Sequence, residues 1–160
     1  MNKAVFIDRD GVINRDIRDY TYRLEDFELL EDVTKALKIF REKGYLLIVV
    51  TNQGGIGKKL YGHDDVRILH EHLASLLKAE KIELTDIYYC PHHPVSGKCL
   101  CRKPDSLLLE KAIARFDIDP ALSYFIGDME RDVQAGEKAG VHSILIESNS
   151  SLMQTVKMVK

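Results

Sequence analysis

The chain has no tryptophan, only four prolines and three cysteines, and no excess of charge of either sign among its 160 residues. Each scarcity removes a class of protein. Basic residues number 23 and acidic ones 25, intermixed to a formal net charge of −2, so no general basic field exists to hold nucleic acid and any anion must be met locally. No apolar stretch approaches the roughly 20 residues of a membrane span, and Met1-Asn2-Lys3 leads directly into a short apolar run instead of a signal-peptide core. A cytoplasmic protein with neither membrane nor nucleic-acid partners is expected. The cysteines are odd in number and all lie between Cys90 and Cys101, which suits a metal site better than a disulfide framework. What the chain has in quantity is hydrophobic residues, 45% of the total, enough for one domain with a substantial core.

Apolar runs alternate with stretches of helical period, the pattern of a parallel sheet wrapped by helices. Strands are expected over the six residues that follow Lys3 and over 45–50, 86–90, 124–127 and 141–146. Val33, Ala36, Leu37 and Phe40 recur at helical spacing before Gly44, and further helices are expected over 64–78, 106–116 and 130–139, the last stopped by Gly140. Residues 9–30 read as a long polar loop carrying Tyr20, Tyr22 and Phe27. Residues 1–147 make a single domain, and 148–160 a tail that reads either as a short helix or as a frayed end.

Three of the apolar runs break off into polar groups: Asp8 with Asp10 and Gly11, then Thr51, Asn52 and Gln53 before Gly54-Gly55-Ile56-Gly57, then Asp128 with Asp132. In a parallel sheet all strand C-termini share one edge, so these groups converge although they are far apart in sequence. Clustered carboxylates are costly without a cation between them, and Asp8 with Asp128 offers hard oxygen ligands for Mg²⁺. Asp132 also reads as a helix N-terminal acid that complements the dipole. Phosphoryl transfer needs a nucleophile, a proton source, charge compensation and phosphate donors. Asp8 suits the first role and Asp10 the second, ionised and proton-exchanging respectively, while Thr51 and the lysine of Arg102-Lys103-Pro104 would hold phosphate oxygens.

The order Asp8-x-Asp10-Gly11, Thr51-Asn52, Lys103-Pro104 and Gly127-Asp128-x-x-x-Asp132 resembles the haloacid dehalogenase superfamily over nearly the whole chain. The resemblance implies a three-layer, doubly wound α/β fold without a cap domain. It also implies Asp8 as nucleophile through an aspartyl-phosphate, Asp10 as general acid/base, and Thr51 and Lys103 as phosphate stabilisers. Mg²⁺ would be held by Asp8, Asp128 and the Asp10 backbone carbonyl. Met129 departs from the basic residue often found at its position in this group.

Cys90-Pro91-His92-His93-Pro94 followed by Cys99-Leu100-Cys101 offers three thiolates and an imidazole, a tetrahedral structural Zn²⁺ set within the loop 90–103. His92, two residues from Cys90, mirrors the Cys99-x-Cys101 half, which leaves His93 facing the pocket or solvent. A closed site shapes the loop that ends in Arg102 and Lys103 and does no chemistry itself. Such a loop resembles the capless, zinc-bearing group of the family, whose substrates are small phosphorylated molecules. A heptose bisphosphate cleaved at its 7-phosphate is the leading expectation, histidinol phosphate the alternative, and a non-catalytic binding module the reading from another class. Arg15, Arg18, Lys58, Lys59 and Arg102 crowd the surrounding loops and favour an anionic substrate, although Asp16, Asp19, Glu25 and Asp26 would suit an ammonium. Substrate contacts are expected from Asp16, Tyr20, Asn52, Gln53, Gly54 and Arg102, in a protein for which a monomer suffices.

Overall fold

The computed structural model describes residues 1–160. The elements run β1 (Ala4–Ile7), α1 (Val33–Glu42), β2 (Leu46–Asn52), α2 (His63–Ala79), β3 (Asp86–Cys90), α3 (Leu107–Arg115), β4 (Tyr124–Gly127), α4 (Glu130–Ala139) and β5 (His142–Leu145). All five strands are parallel and stand in the order β3-β2-β1-β4-β5. The chain winds first to one side of β1 and then to the other. The crevice where the winding reverses therefore opens beyond the C-terminal end of β1, the place at which Asp8 leaves the sheet.

β1 is buried along its whole length, which is why it reads as an unbroken apolar run. Its side chains alternate between two cores. Val5 and Ile7 join Leu47 and Val49 of β2 against α1 and α2, whereas Ala4 and Phe6 join Ile48 and Val50 against α3 and α4. Each helix contributes an apolar stripe: Val33, Ala36, Leu37 and Phe40 from α1, and Leu69, Leu73 and Leu77 from α2, all buried. Three layers result.

β2 runs two residues further than the apolar pattern indicates, and Tyr45 falls outside it. Its ladder with β3 continues through Thr51 against Tyr89 and Asn52 against Cys90. Backbone pairing does not stop where side chains turn polar, so Thr51 and Asn52 are held by the sheet itself. The segment 9–30 is likewise more ordered than a polar loop. The Arg9 carbonyl accepts the N–H groups of Val12, Ile13 and Asn14, and Val12, Ile13, Phe27 and Leu30 are buried.

Residues 148–160 pack against the larger core, where Leu152 and Val159 are fully buried and Leu152–Thr155 form a short 3₁₀ turn. The Lys43 ammonium donates to the Val156 carbonyl at 2.7 Å, and the Tyr45 hydroxyl donates to the Lys160 carbonyl. No helix is long and apolar enough to cross a membrane.

Candidate active site

Asp8 emerges from β1 and meets Lys103, whose side chain is only 1% exposed. The Lys103 ammonium lies 2.9 Å from Asp8 Oδ1 and 2.6 Å from Asp132 Oδ1, and it also donates to the Val50 carbonyl at 3.0 Å. Burial alone would lower the Lys103 pKa, but Asp8 and Asp132 outweigh it, so the amine stays a cation. Asn52 fixes this lysine from behind. Its amide accepts from the Lys103 backbone N–H at 3.0 Å and donates to the Lys103 carbonyl at 3.2 Å. Asp128 completes the cluster, with carboxylate oxygens of Asp8, Asp128 and Asp132 all within 4.8 Å of one another.

Three carboxylates facing one ammonium are under-compensated. Burial pushes Asp8 well above the usual carboxylate range despite Lys103, and burial also raises Asp128 against its hydrogen bonds to Asp8 and Ser148. A divalent cation with hard oxygen ligands supplies the missing charge, so Asp8 and Asp128 fit Mg²⁺. Close approach is enforced by glycine. At Gly11, with φ of +87°, a Cβ would stand 2.2 Å from Asp128 Oδ2, and at Gly127 it would stand 2.3 Å from Asp132 Cβ. Asp132 has two duties, since its other oxygen accepts the Met129 N–H at 3.1 Å and caps α4.

Asp10 stands in a different environment. The Arg9 guanidinium, with no exposed surface, grips it through Nε at 3.1 Å and Nη2 at 2.9 Å, and Asn14 and Gln53 donate to it at 3.0 and 3.1 Å. Burial pushes the Asp10 carboxyl up, but the charge of Arg9 and these hydrogen bonds overcome it and hold the group below its ordinary value. The two acids that stand two residues apart in the sequence thus meet different cations, Lys103 for Asp8 and Arg9 for Asp10.

Arg9 is a site residue to which the sequence reading gave no role, and it brings others with it. Its Nη1 lies 3.1 Å from His70 Nε2 and its Nη2 donates to the Thr21 carbonyl at 2.8 Å. His70 is pushed down to about 3, by burial first and by Arg9 second, so it is neutral and accepts from the guanidinium. Gln53 links Asp10 to Thr51, donating to the Thr51 hydroxyl at 3.0 Å while its carbonyl accepts from Tyr61 at 2.7 Å. Tyr61 stacks on Tyr22 with ring centres 4.7 Å apart, and Tyr20 tilts against it.

These groups line a cavity of about 320 Å³ bounded by Asp8, Asp10, Asp16, Arg18, Asp19, Tyr20, Thr51, Asn52, Gln53, Asp128, Met129 and Arg131. Asp16, Tyr20, Asn52 and Gln53 are thus brought to the site as expected from the sequence. Gly54 and Arg102 are not among the lining groups. Arg102 turns towards the cysteine loop, where it donates to the His92 carbonyl at 3.2 Å and leaves no room for a Cβ on Gly54. Of the remaining basic residues, Arg15 pairs with Glu28 on the surface, Lys58 sits over the Tyr20 ring, and Arg18 reaches the cavity.

The second cluster lies beyond β3. Cys90 Sγ is 3.4 Å from His92 Nδ1 and 3.8 Å from Cys99 Sγ, and Cys101 Sγ is 3.3 Å from the same imidazole nitrogen. Four soft or borderline donors within 4.8 Å fit a tetrahedral metal such as Zn²⁺. His93 stays outside the set, its Nδ1 accepting the Val95 N–H at the start of a 3₁₀ turn.

The doubly wound sheet, the acid cluster at its switch point and the buried lysine define a HAD-like hydrolase. A family model described as HAD-hydrolase-like matches residues 100–157. A heptose-1,7-bisphosphate 7-phosphatase of Haemophilus ducreyi, of the β-anomer by its name, is 41% identical over 94% of this chain and 86% of its own length. An enzyme named for the α-anomer, from Campylobacter jejuni, is 40% identical over 90% of this chain and 81% of its own. The heptose bisphosphate phosphatase of B. bronchiseptica, solved with magnesium and phosphate, superposes with a TM-score of 0.85 at 28% identity, covering 91% of this chain and 81% of that one. The chain belongs to this family of HAD-like phosphatases.

Proposed function

We propose that the chain is a Mg²⁺-dependent phosphatase that removes the 7-phosphate of D-glycero-D-manno-heptose 1,7-bisphosphate through an aspartyl-phosphate on Asp8. The observation that carries this reading is the buried ion pair of Asp8 with Lys103, beside Asp128 and open to a cavity lined by Asp10, Thr51 and Gln53. Asp8 Oδ attacks phosphorus, and the ester oxygen leaves with a proton from Asp10. Asp10 then takes a proton from water as the acyl phosphate is hydrolysed, which restores both carboxyls. Lys103 and the Thr51 hydroxyl hold oxygens of the transferring group. Asp8, Asp128 and the Asp10 carbonyl would hold Mg²⁺, which supplies charge neutralisation at the phosphoryl oxygens. Cys90, His92, Cys99 and Cys101 would hold a structural Zn²⁺ that fixes the loop leading to Lys103.

The choice of heptose over other phosphate esters rests on relatives 41% and 40% identical that carry that activity in their names. Both anomers occur among those names, so the anomer is left to assay. In Asp8→Asn the nucleophile is gone while shape is kept, and turnover of heptose bisphosphate is expected to fall at least about a thousandfold. Turnover at the wild-type rate would remove Asp8 from the nucleophile role, and a wild-type protein without Mg²⁺-dependent phosphate release would remove the phosphatase reading altogether.

A further inference from the structure

Arg9 stands between the two acids with no exposed side-chain surface, while the Asp10 side chain in front of it is 30% exposed and lines the cavity. All three of its nitrogens are engaged. Nε and Nη2 reach Asp10 Oδ1 at 3.1 and 2.9 Å, Nη2 also leans on Oδ2 at 3.2 Å and donates to the Thr21 carbonyl, and Nη1 meets His70 Nε2 at 3.1 Å. Such a residue is a poor stability device, because a buried ion pair gains little over apolar side chains of the same volume. The geometry at the carboxylate gives it a purpose. With Asn14 Nδ2 at 3.0 Å, Oδ1 takes three N–H groups and is filled, whereas Oδ2 takes Gln53 at 3.1 Å and only the longer arm of Nη2. Oδ2 is therefore the oxygen with room for a proton. Asp8 lies instead in the cluster with Asp128 and Asp132, which does not include Asp10.

We propose that Arg9, backed by His70, is a positioning residue that keeps the Asp10 carboxyl out of the Asp8 cluster and leaves its Oδ2 free for the ester oxygen, so that only one of two like acids is placed to exchange protons. The inference rests on the phosphatase reading above and deepens it. In the first half-reaction Asp8 Oδ bonds phosphorus, the bond from phosphorus to the ester oxygen breaks, and that oxygen takes the proton of Asp10 Oδ2; in the second, water bonds phosphorus, Oδ2 takes its proton, and the acyl phosphate bond breaks. Arg9 itself forms and breaks no bond. A misplacement of about 1 Å in the acid costs on the order of a hundredfold, and a lysine, a point charge in place of the fork, cannot hold Oδ1 through two nitrogens. His70 holds the far Nη1 and so fixes the plane of the guanidinium.

The test compares heptose 1,7-bisphosphate with p-nitrophenyl phosphate, whose leaving group departs as an anion and needs no proton, on wild type, Arg9→Lys, His70→Leu and His70→Gln. In Arg9→Lys, kcat for the bisphosphate is expected to fall about a hundredfold with KM within about twofold, whereas phosphorylation of Asp8 by the aryl ester stays within about threefold. Hydrolysis of the phosphoenzyme still needs Asp10 as base, so p-nitrophenolate should appear in a burst stoichiometric with enzyme, and that burst also counts folded protein. His70→Leu, which leaves Nη1 without its acceptor, should show the same pattern at a loss of about tenfold, and His70→Gln, which restores an acceptor, should recover most of it. The two His70 variants carry the test if Arg9→Lys does not fold. Equal losses of the phosphorylation step on both substrates, wild-type turnover in Arg9→Lys, or no difference between the two His70 variants overturns the positioning role alone, whereas wild-type protein that releases phosphate from neither substrate overturns the phosphatase reading and the positioning role with it.

Discussion

His70 gives a prediction whose magnitude follows from its surroundings. It is 9% exposed on α2, its Nε2 lies against the Arg9 guanidinium, and the only carboxylate acting on it is Asp10, already engaged by Arg9. Burial and Arg9 lower it from the ordinary 6.5 to about 3. Between those two values the unfolded chain binds a proton at residue 70 that the folded chain refuses, so the contribution to stability is full above about pH 6.5 and drains away as pH falls towards 3. Each pH unit in that window costs about 1.4 kcal/mol, so the loss at pH 4.5 is roughly 3 kcal/mol. Against a total of about 5–15 kcal/mol for a domain, this is a large share. Urea denaturation of wild type and His70→Gln at pH 7.5 and 4.5 isolates it, because glutamine keeps an acceptor for Arg9 but cannot titrate. At pH 7.5 wild type should be the more stable, and at pH 4.5 the difference should have moved by roughly 3 kcal/mol in favour of the variant. A stability difference that is the same at both pH values would refute the assignment of a neutral, buried His70.

Two other features lend themselves to direct measurement. Purified protein should contain about one zinc per chain, and Cys99→Ser should lose more than the roughly 10–100-fold in metal affinity typical of an outer-shell partner, by elemental analysis and chelator competition; a stable, active protein free of metal at this site would exclude the structural role. Asn149 clamps the substrate loop from the C-terminal segment, accepting the Asp16 N–H at 2.7 Å and donating to the Asp16 carbonyl at 3.0 Å. Asn149→Ala removes two exposed hydrogen bonds worth about 1 kcal/mol each at most, so KM should rise by up to roughly thirtyfold with kcat little altered. An unchanged KM would mean that the loop needs no such clamp.

Much of this architecture is legible in the sequence because it rests on local rules. Strands buried on both faces announce themselves as apolar runs, and helices with one buried stripe as a 3.6-residue period. The convergence of Asp8, Thr51 and Asp128 needs only the further fact that parallel strands end on one edge. Residues 148–160 were harder, since the burial of Leu152 and Val159 depends on a cleft between distant elements and not on any period of their own. Arg102 lies beside Lys103, but successive residues in an irregular loop can face different ways, and one nitrogen of its guanidinium donates to the His92 carbonyl outside the lining of the acid cavity.

Arg9 lies just past the end of β1, where neither strand nor helix period applies, so no pattern marks it as interior. Its burial is produced by three separated segments: Asp10 beside it, the Thr21 carbonyl in the long loop and His70 on α2. Only His70 left a trace, since Val66, Leu69, His70, Leu73 and Leu77 share one face of a helix and a polar member of such a stripe calls for a buried partner. The partner proves to be the residue between the two acids. A fully buried guanidinium must spend its donors, and here they go to one carboxylate, one carbonyl and one neutral imidazole. The arrangement gives Asp10 a buried cation of its own two residues from Asp8, so the acids that look like a pair in the sequence have different partners, Arg9 for one and Lys103, shared with Asp132, for the other.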